Sequence, residues 1–424
     1  MRTDATGHRG AFACITTLFF AWGFITASVD PLIAALRTIF SLSYREAGLT
    51  QFAFFIAYGV VSLPAAALVR RAGYPNSIVV ALLIMIVGCL VIPVAMHFET
   101  FAIVLVALFI IASGITILQV AANPLAAELG APEGAHFRLT FSQAFNSLGT
   151  TIAPYLVASL VLAGGIFAAG PGASATAAQR SESLQHIETA FLLIAALIAL
   201  LALFIWSVRG RLRDAAPLLA ADAGASVTGA LRSPWALLGA AAIFLYVGAE
   251  VSIGSYMTNF LHQEDVFAVS LRQAGRLVSL YWGGAMLGRF IGSALLRRVS
   301  AGRLLGIAAA CAALLCLTVR LSPGAAAGVA ALSIGLMNSI MFPVIFTLTL
   351  ERSRASEAAT SGLLVMAIVG GAFLPSLYGH IADIASLRAA YAVPLSAYVC
   401  ISVFGFAAAR ALPARKSEAA AVGG

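Results

Sequence analysis

A chain of 424 residues could hold two or three soluble domains, but 61% of it is hydrophobic, only 10% is charged and its mean hydropathy is +0.98. That composition fits no soluble class, and apolar runs near the roughly 20 residues needed to cross hydrocarbon recur from end to end. The net charge of +8 does not point to nucleic acid, because the arginines are spread over short loops instead of gathering on one basic face.

Taken in chain order, the expected spans of an all-α membrane protein are 11–36, 47–69, 76–96, 101–127, 139–164, 187–208, 235–261, 271–296, 303–320, 325–350, 357–383 and 388–411. The first follows a short polar stretch, Met1 to Gly10, without a small-residue cleavage site, so it is expected to persist as an uncleaved anchor. Cys14, Cys89, Cys311, Cys316 and Cys400 all fall inside spans and are expected to be free thiols packed as small apolar residues.

With an even number of spans both termini share a side, and the loops can be tallied for Arg and Lys. One side collects 17 of the 25 and the other six, with Arg276 and Arg289 left inside a span. The asymmetry places both termini in the cytoplasm of a multi-pass protein of the bacterial inner membrane. Residues 1–208 are expected to form one six-helix bundle, 209–234 a cytoplasmic linker, and 235–424 a second bundle with a short tail. Ala67-Leu68-Val69-Arg70-Arg71 after the second span is echoed by Ala294-Leu295-Leu296-Arg297-Arg298 after the eighth. Six spans, a linker and six spans fit two parallel repeats with a substrate site between them at mid-depth.

An ionisable group in hydrocarbon costs at least about 2.5–3.5 kcal/mol, so such groups usually face a cavity and serve a function. Asp30 follows Trp22 and Thr26 at steps of four, which places a carboxylate, a hydroxyl and an aromatic ring within roughly 80° of helix surface. The competing reading has Asp30 at the outer end of its span, wetted and capping a turn before Pro31. Glu250 lies nearer the middle of the seventh span, in line with Tyr246 and Gly254, where a structural hydrogen bond and a proton or substrate role both remain open. The fourth span carries Thr116, Gln119 and Asn123 on one face before Pro124, the fifth Gln143, Asn146 and Thr150, and the tenth Asn338 ahead of Phe342 and Pro343. A lone amide in a span is more often glue between helices; five on neighbouring helices suit a ligand rich in hydroxyls. Asn259 is opposite Glu250 on an ideal helix and could share a cavity with it only if the span breaks near Gly254. Arg289 is expected to snorkel or to pair structurally. The sequence carries no phosphate-binding loop, metal-ligand cluster or nucleophile motif, and its six histidines are scattered near span ends. The expectation is therefore a secondary transporter, not an enzyme, that uses no cofactor and draws on an ion gradient.

Ser113-Gly114-Ile115-Thr116-Ile117-Leu118-Gln119-Val120-Ala121-Ala122-Asn123-Pro124 and Gln143-Ala144-Phe145-Asn146-Ser147-Leu148-Gly149-Thr150 resemble the fucose/galactose/hexose symporter family of the major facilitator superfamily. Phe20-Ala21-Trp22-Gly23-Phe24, Val247-Gly248-Ala249-Glu250-Val251-Ser252-Ile253-Gly254 and Tyr281-Trp282-Gly283-Gly284 extend the likeness through most of the chain. The resemblance implies twelve helices, alternating access and uptake of a monosaccharide with a cation, usually a proton and alternatively sodium. It makes Asp30 the proton-exchanging carboxylate and places Gln143, Asn146 and Trp22 at positions of sugar contact. Gln119 departs from the Glu found in fucose symporters, which points to the glucose/galactose branch or its N-acetylglucosamine-using relatives.

The expected mechanism has Asp30, with Glu250 as a second candidate, carry the proton. Gln119, Asn123, Gln143, Asn146 and Asn338 hold the sugar, Trp22 or Trp282 stacks on its apolar face, and Asn259 is a further candidate contact. Expected partners are the sugar and the lipid bilayer around a monomer, with no nucleic acid. The rival readings are a sodium-coupled sugar symporter, a fucose transporter, and an exporter by antiport, which would want a larger apolar pocket.

Overall fold

The computed structural model describes residues 5–28, 39–40, 44–161, 176–215, 227–269 and 271–412, and among them every regular element is helical. The elements are α1 (Ala5–Ala27), α2 (Tyr44–Ala72), α3 (Tyr74–His97), α4 (Phe101–Glu128), α5 (Ala135–Val161) and α6 (Ala177–Ala215), then α7 (Pro234–His262), α8 (Leu271–Leu295) and α9 (Ala301–Leu321). Each of the last three spans is interrupted: α10a (Ala325–Asn338) and α10b (Met341–Arg352), α11a (Glu357–Met366) and α11b (Gly370–Ile384), α12a (Leu387–Ala390) and α12b (Ala392–Arg410). Grouped in this way they make the 12 helices that the hydropathy pattern leads one to expect. Ten of the spans are long and apolar enough to cross a membrane on composition alone. The exceptions, α5 and α8, carry Arg138, Gln143 and Asn146, and Arg272, Arg276 and Arg289, which lower their hydropathy.

Local chemistry explains the ends and breaks. Ser233 caps α7 by accepting from the Ala236 amide, with Pro234 in the first turn; Ser356 and Ser386 cap α11a and α12a in the same way. The tenth span breaks where Pro343 has no N–H to give the Ser339 carbonyl four residues back. Arg289 of α8 supplies the missing donor, its Nε reaching that carbonyl oxygen at 3.1 Å. The side chain expected to snorkel or to pair structurally thus gives one of its donors to backbone. Arg388 similarly donates to the Val319 carbonyl at 3.0 Å and to Ser322 at the end of α9. Arg352 donates to the Ala408 carbonyl at 2.8 and 3.2 Å at the end of α12b.

The chain divides into two compact units, residues 1–122 with 145–220, and 123–144 with 221–424. In the first, glycine brings α1 and α5 backbone to backbone. A Cβ on Gly23 would land on the Asn146 carbonyl oxygen, and one on Gly149 on the Phe20 carbonyl oxygen. Helices surrounded by lipid associate through such close packing, since burying apolar surface yields little there. In the second unit Gly370 of the α11 span lies equally tightly against the Phe244 carbonyl of α7.

The second unit also holds the 123–144 hairpin. Arg138 folds back to close its turn, donating to the Ala131 carbonyl at 2.8 Å and to the Ala127 carbonyl at the end of α4. His136 Nε2 lies 2.9 Å from Glu351 Oε1, Arg352 pairs with the other oxygen of Glu351 at 2.8 Å, and the Arg297 guanidinium sits 4.0 Å over the Phe137 ring.

Gly149→Ala should force α1 from α5 and lower stability in detergent by about 1–3 kcal/mol, as overpacking does. Gly210→Ala, with open space around it, should leave the thermal midpoint unchanged or slightly raised; equal midpoints for both variants would refute the close-packing account.

Candidate functional site

The polar side chains singled out within spans are buried, not turned to the outside. Gln119 and Gln143 are each 4% exposed, Asn146 9%, and Asn123 and Asn338 0%. Asp30 lies outside the described residues.

In the first unit, Trp22 is buried against Phe19, ring centroids 5.2 Å apart. One turn on, the buried Thr26 hydroxyl has no partner. Asn146 Nδ2 donates to the Phe19 carbonyl at 3.1 Å, which ties α5 to α1 at the position where Gly23 admits it. Gln119 Nε2 donates to the hydroxyl of buried Tyr58 on α2 at 2.9 Å. Thr116 and Thr150 spend their hydroxyls on their own helices, at Ala112 and Ser147.

In the second unit, Gln143 Nε2 donates to Asn123 Oδ1 at 3.3 Å, and Asn123 Nδ2 is left buried without a partner. A larger cluster joins α7, α8 and α10a. The Tyr246 hydroxyl donates to Glu250 Oε1 at 2.7 Å, the Tyr281 hydroxyl reaches the Glu250 carbonyl at 3.4 Å, and Asn338 Nδ2 donates to the Tyr281 hydroxyl at 2.8 Å. Arg289 acts electrostatically on Glu250 from α8. Asn338 Oδ1 and the hydroxyl of Tyr398 are buried and make no hydrogen bond of ordinary geometry, although Tyr398 lies close enough to Asn338 for the two to interact. Trp282 is largely exposed, its ring set edge-on to Tyr281 and filling the space beside Gly254.

Asn259 differs from the rest. Helix α7 runs unbroken from Pro234 to His262, so the break at Gly254 that would have let Asn259 share a cavity with Glu250 does not occur. Asn259 is exposed and about 180° around the helix from Glu250.

Tyr58, Tyr281 and Tyr398 were not singled out from sequence, although a signal for two of them exists. Gln119 and Asn338 each stand five residues before a proline, Pro124 and Pro343. Each also donates to a tyrosine on the second helix of its six-helix set, Tyr58 on α2 and Tyr281 on α8. The same bond recurs at corresponding places in both halves, as an internal repeat would produce. Among the described residues no group of three His, Cys, Asp or Glu is placed to hold a metal ion.

A family model described as Major Facilitator Superfamily matches residues 11–368. The chain is 41% identical over 399 residues to the glucose/galactose transporter of Brucella abortus, covering 93% of each. It is 34% identical to the putative glucose/galactose transporter of Helicobacter pylori, covering 94% of this chain and 97% of that one. The solved structure of the fucose:proton symporter of Escherichia coli is 25% identical with a TM-score of 0.83, covering 96% of this chain and all of that one.

Removing the tyrosine hydroxyls should expose what they hold. Tyr58→Phe and Tyr281→Phe each strand a buried amide donor, at a cost of about 1–3 kcal/mol in thermal unfolding. Unchanged midpoints in both would mean that these bonds are not formed in the folded protein.

Proposed function

From the premise that this chain belongs to the Major Facilitator Superfamily, we propose that it is a secondary transporter that moves a monosaccharide together with a proton. The observation that carries the reading is the set of five buried amides, two of which have an atom that makes no hydrogen bond, Asn123 Nδ2 and Asn338 Oδ1. A buried amide group without a partner costs about 1–3 kcal/mol, and a polyol that both donates and accepts is the ligand that would satisfy a donor on one side chain and an acceptor on another. The names of the relatives support the same class: glucose/galactose transporters in Brucella abortus and Helicobacter pylori, and an L-fucose-proton symporter in Escherichia coli.

In this reading Gln119, Asn123, Gln143, Asn146 and Asn338 hydrogen-bond the sugar, and Trp22 offers an apolar ring to its less polar face. Asp30 takes up the proton. Glu250, whose Oε1 accepts from the Tyr246 hydroxyl, is the second candidate for the coupling part. Both termini lie in the cytoplasm, residues 1–208 and 235–424 act as two six-helix halves, and 209–234 links them around an inner-membrane monomer. A ligand moves a conformational equilibrium only through differential affinity for its states, so sugar contacts that exist in one state and not another drive the cycle.

Counterflow of labelled glucose or galactose in proteoliposomes, competed by a panel of monosaccharides, tests the substrate. Sugar-evoked alkalinisation of the medium without sodium tests the proton; a signal that appears only when sodium is added would overturn proton coupling. Asn338→Ala should raise the half-saturating sugar concentration about tenfold, the equivalent of 1.4 kcal/mol. Asp30→Asn should abolish uphill accumulation while leaving exchange, and undiminished accumulation by that variant would remove Asp30 from the mechanism.

A further inference from the structure

Away from the amides, the second unit contains a cavity of about 630 Å³ lined by Gly229, Arg232, Ser233, Pro234, Trp235, Arg352, Arg354, Ala355 and Ser356. Three features of this lining converge on one kind of ligand. The first is charge. No carboxylate lines the cavity, and of its three guanidiniums only Arg352 is neutralised, by Glu351. Arg352 is buried and its donors are committed to Glu351 and to the Leu348, Ala408 and Ala411 carbonyls, so it acts as a fixed positive wall. Arg232 and Arg354 are exposed, and neither has an ion-pair partner among the described residues.

The second feature is backbone. Ser233 and Ser356, both in the lining, are the caps of α7 and α11a, helices of 29 and 10 residues. Each serine satisfies one amide, that of Ala236 or Ala359. In α7, where Pro234 has no N–H and the Ser233 amide bonds the Ala230 carbonyl, the Trp235 N–H is the one left over; in α11a those of Glu357 and Ala358 are left, beside the Glu357 carboxylate. The third is size. The cavity has the volume of a pocket for an organic molecule, and Trp235, half-buried beneath the Arg352 guanidinium at 5.9 Å, gives it an apolar floor.

We propose that this cavity binds a phosphate-bearing anion whose phosphoryl oxygens are gripped by Arg232 and Arg354 against the starts of α7 and α11a, with the organic remainder over Trp235. Paired guanidinium forks and helix N-termini are the two protein features best matched to phosphate oxygens. The phosphate can come from an anionic lipid headgroup or from a soluble phosphorylated metabolite. The cavity shares no residue with the amide set, so it stands whether or not the chain carries sugar.

The test uses the full chain purified in a neutral detergent. In one arm, Trp fluorescence and thermal shift are followed while inorganic phosphate and glucose 6-phosphate are titrated. In the other, retention of phosphatidylglycerol against phosphatidylcholine is read by native mass spectrometry. The expected result is saturable binding in at least one arm that weakens as salt rises and falls at least tenfold in Arg232→Gln/Arg354→Gln. Both positions are exposed, so the double variant should fold, and its unchanged thermal midpoint without ligand checks this. Arg232→Lys/Arg354→Lys should retain part of the binding, since charge is kept and the fork is lost. Binding in the soluble arm alone assigns a metabolite, and in the lipid arm alone a headgroup. Absence of binding in both arms, or equal binding by wild type and the Gln double variant, overturns the proposal.

Discussion

Hydrocarbon offers nothing to hydrogen-bond with, so each polar group placed in a span must find its partner in the chain or in a ligand. Much of this structure follows from that demand. Three arginines meet it for the backbone: Arg289 at the Ser339 carbonyl that Pro343 leaves bare, Arg352 at the end of α12b, and Arg388 at the end of α9. A guanidinium is suited to the task because it stays charged and presents several donors in a plane. An arginine inside a span is therefore not in itself a sign of transport chemistry, and Arg289 illustrates the point.

The amides meet the same demand incompletely. Gln119 and Asn338 each have a tyrosine hydroxyl to donate to, and Gln143 has Asn123. Yet Asn123 Nδ2 and the Thr26 hydroxyl are buried without a hydrogen bond. Helix-to-helix glue closes its own bonds. In the proposed reading, the sugar is what answers the groups left open.

Sequence disclosed the helices because hydropathy over twenty residues is a sum of many small terms, and it located the amides because a polar residue is conspicuous among leucines. It did not disclose the tyrosines, since Tyr58 in Phe54-Phe55-Ile56-Ala57-Tyr58 and Tyr281 beside Trp282 look like aromatic packing. Their role depends on which side chain from another helix meets the hydroxyl, a fact of tertiary structure. The tenth span, expected as one piece over 325–350, is interrupted ahead of Pro343, and the donor that reaches the Ser339 carbonyl lies fifty residues away on α8. Asn259 shows the opposite limit: its relevance required α7 to break at Gly254, and the helix runs intact through that glycine.

The division of the chain follows from a few long-range contacts of the same chemical kind. Residues 123–144 are continuous with α4 and α5, yet they belong to the unit of the second half. Arg138 first makes the hairpin self-sufficient by satisfying the carbonyls at its turn. His136 then meets Glu351, and Phe137 meets Arg297. The hairpin adds an apolar contact to these, Phe141 standing edge-on to Phe290 of α8.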